Sequence, residues 1–106
     1  MEALKIFMQV VSDEDFVEGH ECLEEQWKEW KNDPLKREES FILKGLINGS
    51  TALALQRLGR PLPALQVWAT FEKYRPLIRT INSPYTKAYE EAERLLDDKY
   101  KEIIGT

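Results

Sequence analysis

His20, Glu21 and Glu24 stand in the stretch Phe16-Val-Glu-Gly-His-Glu-Cys-Leu-Glu-Glu-Gln-Trp27, and their types and spacing admit three chemistries. On a helix, His20 and Glu24 are i, i+4 neighbours, whereas Glu21 points about 100° further round, towards solvent. His20 lies about 40° from Phe16, inside the apolar stripe Phe16, Leu23, Trp27 and Trp30. The imidazole and the Glu24 carboxylate are therefore expected at the edge of a buried face. Such groups need partners, because burying them unpaired is costly.

In a purely structural role, His20 bonds Glu24 or a polar group of the next long helix: Asn48, Ser50 or Thr51. In a metal role, His20, Glu21 and Glu24 supply the ligands. The spacing resembles the zinc-protease pattern His-Glu-x-x-His, with Glu24 where the second histidine belongs. His20 is the only histidine, and zinc favours several nitrogen or sulfur ligands. These three residues are thus weak metal candidates, and no cofactor is expected. A di-iron bundle needs two Glu-x-x-His motifs, which the chain lacks. In a catalytic role, His20 is a general base oriented by Glu24. Cys22, two positions along the same helix, points elsewhere and does not serve as its nucleophile.

Around this cluster, Asp13, Glu14, Asp15, Glu18, Glu21, Glu24 and Glu25 succeed one another with no lysine or arginine among them. Acids at a helix N-terminus complement the macrodipole, which accounts for the first of them. Glu21 and Glu25 are like charges at i, i+4, a mild local conflict that marks either a site or a solvated acidic face. Trp27 and Trp30 suit core positions. Arg57, Arg60, Arg75 and Arg79 lie near expected helix ends, where they serve an anion or the helix dipole.

Apolar residues recur at three and four throughout, and no period-two alternation appears, so the expected fold is all-α. Five helices are read in a compact bundle forming one domain. The first runs from about Glu2 to Val11, with Leu4, Phe7, Met8 and Val11 on one stripe. The second, capped by Ser12 or Asp13, runs to about Lys31 and is broken by Asp33–Pro34. The third runs from about Leu35 to Leu58 and stops at Gly59. Pro61 and Pro63 open the fourth, which Pro76 ends or kinks. Ser83–Pro84 starts the fifth, whose outer face (Glu90, Glu91, Glu93, Arg94, Asp97 and Asp98) reads as solvated surface.

The third helix is apolar all round, so it is expected at the centre of the bundle. Gly45 and Gly49 lie nearly opposite Leu43, Leu46 and Ile47. Each costs about 1 kcal/mol against alanine, tolerable where another backbone approaches closely. That approach is either a helix contact within the chain or a subunit interface.

The chain has 106 residues, 42% hydrophobic and 32% charged, with a net charge of −4. This suits one soluble domain and argues against a general nucleic-acid binder or a binder of anionic membranes. No apolar run approaches the roughly 20 residues of a transmembrane helix. The single cysteine rules out an internal disulfide, and the N-terminus lacks a secretory pattern, so a cytoplasmic location is expected.

Phe16 followed by His20-Glu21-x-Leu23-Glu24-x-x-Trp27 resembles the signature of a small prokaryotic family, the domain of unknown function 309. A second motif, Phe41-Ile-Leu-Lys-Gly45-Leu46-Ile47-Asn48 followed by Ala52, fits the same pattern. The turn Leu58-Gly59-Arg60 and the start Ala64-Leu65 fit too. The chain departs from the family at Asn48, usually glutamine, at Gln56, commonly histidine, and at Gly19, usually alanine. The resemblance implies an all-α fold and no particular reaction. It also implies that His20, Glu21, Glu24, Trp27 and Asn48 meet where the second and third helices face each other.

The function expected first is a non-enzymatic cytosolic binding or assembly module. Its His20–Glu24 pair, joined to Asn48, would form a buried polar fastening, and His20→Ala would cost a few kcal/mol. The alternative is a metal-dependent or acid–base enzyme, hydrolase-like, built on the same cluster. Homodimerisation, through the glycine face or an exposed part of the fourth helix, is a further alternative.

Overall fold

Leu4, Phe7 and Val11 are buried along one side of the first helix, Glu2–Ser12 (α1). After a short turn, Asp15 caps the next helix, Phe16–Cys22 (α2), its Oδ1 accepting the Glu18 N–H at 3.3 Å. The computed structural model describes residues 1–105. The helix expected to run on to Lys31 is divided at Leu23, and a separate helix covers Glu24–Lys31 (α3). Leu23 is fully buried at the junction. The break has an electrostatic consequence: Glu24 and Glu25 become first-turn acids instead of mid-helix like charges.

Asp33 accepts the Leu35 N–H on Oδ1 at 2.9 Å and the Lys36 N–H on its carbonyl at 2.9 Å, turning the chain beside Pro34. The long helix Arg37–Arg57 (α4) follows. It ends in a Schellman arrangement: Arg60 N–H donates to Leu55 O and Gly59 N–H to Gln56 O, with Gly59 at φ +72°. Pro61 and Pro63 occupy the first turn of Pro61–Tyr74 (α5). Beyond Pro76 a single turn, Leu77–Thr80 (α6), precedes the last helix, Thr86–Ile104 (α7). The five expected helices are therefore present, the second in two pieces and with α6 added.

α4 is the centre of the bundle and packs against α2, α3, α5, α6 and α7. Ile42, Leu43, Leu46, Ile47, Ala52 and Leu53 are all buried on it. Its glycine face lies against the same chain. A Cβ on Gly45 would stand 3.2 Å from Tyr74 Cβ, and one on Gly49 would stand 2.8 Å from Leu96 Cδ1. α5 and α7 thus cover that face within the chain. The large apolar residues exposed on α5 are Leu62 and Leu65.

The face of α7 expected to be solvated needs correcting at Glu93, which is only 5% exposed. α6 docks beside it, and Arg75 and Arg79 both engage its carboxylate. Among the described residues, no helix is long and apolar enough to cross a membrane.

Candidate functional site

Two contacts hold α2 against α4. Ser50 Oγ donates to Phe16 O at 2.7 Å, and a Cβ on Gly19 would collide with that same hydroxyl. The close approach brings His20 Nδ1 to 2.6 Å from Thr51 Oγ1. Thr51 Oγ1 also donates to Ile47 O at 3.0 Å. A threonine hydroxyl has one hydrogen, so with that hydrogen on Ile47 O it accepts from His20. A proton therefore belongs on Nδ1, and whenever the ring is neutral Nε2 carries the lone pair.

Nε2 lies 3.6 Å from Glu24 Oε1, beyond a good hydrogen bond. The two side chains are 40% and 39% exposed. The pair thus sits at the rim of a recess, and the buried fastening expected from the sequence is only half realised. Asn48 turns its amide back on its own helix, donating to Lys44 O at 2.7 Å. It does not join His20; Thr51 takes that position. Trp27 is half-buried and Glu21 is exposed.

His20, Glu24, Trp27, Lys44, Ile47 and Asn48 line a recess of about 220 Å³ between α2–α3 and α4. Four of the five candidate residues therefore share one concavity, and Glu21 lies outside it. Lys44 and Ile47 were missed as site residues. Lys44 stands one turn before Asn48 on α4 and Ile47 directly precedes it, which was the available signal, but nothing local showed which face of α4 met α3. The groove continues along α4 in both directions. Towards α1 it is apolar, walled by Phe16, Val17 and Ala54. Towards the α3–α4 turn it becomes basic and aromatic.

Cys22 donates to Gly19 O at 3.6 Å. Burial, reinforced by the Glu18 charge, pushes its thiol up to about 11. It stays protonated at neutral pH and is a poor nucleophile. Among the described residues, no three His, Cys, Asp or Glu side chains converge in an arrangement able to hold a metal ion.

Three ionic or polar clusters tie other elements together, the first of them at the apolar end of the groove beside Phe16. Glu14, a non-glycine residue at φ +65°, engages Arg57 of α4 and accepts from Lys99 Nζ of α7 at 3.0 Å. Lys99 and then Arg57 hold its carboxyl below the usual range. Glu39, buried in the first turn of α4, accepts from Tyr89 Oη at 2.5 Å and Ser83 Oγ at 2.6 Å. Arg75 joins Glu93, Asp97 and Glu72. Arg57, Arg75 and Arg79 are thus paired within the chain.

No curated protein and no solved structure matches the chain. A family model described as a domain of unknown function matches residues 4–67, more than half of the chain. That stretch takes in most of α1, all of α2 to α4, the first half of α5 and the whole recess. The chain therefore belongs to the domain of unknown function (DUF309) family.

Proposed function

We propose that the chain is a cytosolic, non-enzymatic binding module whose ligand enters the recess at His20. One observation carries this reading: His20 and Glu24 both line the recess, with Nε2 and Oε1 3.6 Å apart, too far for a good hydrogen bond, and in the neutral Nδ1–H tautomer both atoms are acceptors. A ligand N–H, amidinium or ammonium group bridges such a pair, while Thr51 holds the ring in position from behind. Trp27 and Ile47 offer the apolar wall that small-ligand recesses combine with a few polar groups.

Titration of the chain with methylguanidinium, followed by amide NMR shifts, tests this. Saturable shifts at His20, Glu24 and Asn48 are expected, and they are lost in Glu24→Gln. Shifts that never saturate, or that bypass these residues, overturn the reading. The second reading is an acid–base enzyme, favoured by the tautomer, which leaves Nε2 able to take a proton from a bound ligand. The protonated Cys22 thiol gives it no nucleophile from that quarter.

A further inference from the structure

At its α3–α4 end the groove changes character. Trp27, Lys31, Arg37, Ser40, Phe41 and Lys44 line a second recess of about 150 Å³, with three cations and no carboxylate in the lining. This is unusual for a chain with 19 acidic against 15 basic residues. Lys31 and Lys44 are half-buried and Arg37 is exposed, whereas the half-buried cations Arg75 and Lys99 are paired with Glu93 and Glu14. Among the described residues, Lys31, Arg37 and Lys44 have no carboxylate oxygen within 4.0 Å.

Their side chains are placed rather than loose. Arg37 Nη1 reaches back across the recess to donate to Lys31 O at 3.4 Å. Lys31 Nζ stands 4.4 Å from the centroid of Trp27, and Lys44 Nζ stands 5.9 Å from that of Tyr74. Laying the stems along aromatic rings keeps the charge near apolar surface while leaving ammonium N–H groups to donate. Ser40 is buried and donates its one hydroxyl hydrogen to Arg37 O, so the N–H groups of the three cations are left as the donors for an anion.

We propose that this recess binds an organic oxyanion, a carboxylate or phosphate carried on a planar apolar group. Lys31, Arg37 and Lys44 hold the anion, and the ring lies against Trp27 and Phe41. The guanidinium fork suits two oxygens of one oxyanion, which a single ammonium does not. The inference rests on the groove being a binding surface, and it adds an anionic group next to the donor group taken at His20.

The test is an amide and indole NMR titration of the full chain with phenyl phosphate, benzoate and phenol. Saturable shifts of the Trp27 indole N–H and of residues 37–44 are expected with the two anions and not with phenol. Tighter phenyl phosphate assigns the site to phosphate esters, and tighter benzoate assigns it to carboxylates. Lys31→Gln combined with Arg37→Gln should weaken binding at least tenfold, with the melting temperature confirming the fold. Arg37→Lys, which keeps the charge, should bind better than Arg37→Gln. Equal binding of phenol, unchanged affinity in the double variant, or shifts spread over all surface lysines overturns the proposal. Loss of anion binding alone, with methylguanidinium still bound at His20, removes this inference and leaves the binding-module reading standing. Failure of both probes removes both.

Discussion

Arg75 and His20 each stand at a seam between helices, and the two seams treat polar groups differently. At the α5–α7 seam the Arg75 guanidinium meets Glu93, Asp97 and Glu72, and Arg79 takes the second oxygen of Glu93. Close by, Glu39 takes hydrogens from both Tyr89 and Ser83. At the α2–α4 seam only one nitrogen of His20 is engaged at hydrogen-bond distance, Glu24 stands off at 3.6 Å, and Asn48 bonds its own helix. Groups satisfied by their own chain act as fasteners. Groups left with spare bonding capacity beside a concavity can take a ligand, because binding then satisfies atoms that folding did not.

The largest effect is expected from Arg75→Ala. It leaves Glu93, almost fully buried, with Arg79 alone and Asp97 with no partner from Arg75. A loss of about 3 kcal/mol in urea unfolding is expected, since removing one member of a buried pair strands the other. A loss below about 1 kcal/mol would erase the distinction between the seams. Glu39→Ala follows, at about 2 kcal/mol, because the Tyr89 and Ser83 hydroxyls lose their acceptor in a buried place. Glu39→Gln, which keeps an oxygen, should recover part of that loss.

Acid sharpens the same contrast. Burial alone would raise the Glu93 carboxyl, but Arg79 and Arg75 outweigh it and hold it below the usual range. A carboxyl lowered on folding contributes stability that is present above its ordinary range and is lost as pH falls through the lowered value. The melting temperature should therefore drop on acidification through and below the carboxylate range. Glu93→Gln should show a shallower drop, seen by circular dichroism.

The smallest effect on stability belongs to His20→Ala, at about 1 kcal/mol, the net worth of an ordinary hydrogen bond to Thr51. This is less than a buried network would lose, because the ring is half open to solvent. Thr51→Val should cost a similar amount. A melting shift as large as that of Arg75→Ala would make His20 a fastener after all and break the comparison.

Much of the architecture was legible because its signals are local. Pro61 with Pro63 and Asp33–Pro34 restrict the backbone where they stand, Gly59 admits the left-handed conformation that ends α4, and each falls at a helix end or turn. The all-round apolar surface of α4 announced its central place. The division at Leu23 carried no comparable mark, since the residues around it suit a continuing helix, and Pro76 marked the end of α5 without showing that a further turn, α6, follows it. Glu93 was misread for a related reason. One helix shows which residues share a face, but not which neighbour later covers it.

His20 and Glu24 share a face by the geometry of any helix, and the chain's own pattern also dictated the helices, their turns and the buried stripe beside that pair. Folding alone selected Thr51 over Asn48 as the histidine's partner and gathered Lys31, Arg37 and Lys44 around one hollow. Periodicity reports angles about a single axis, whereas these pairings depend on how two axes approach, and side-chain size at Gly19 and Ser50 sets that distance.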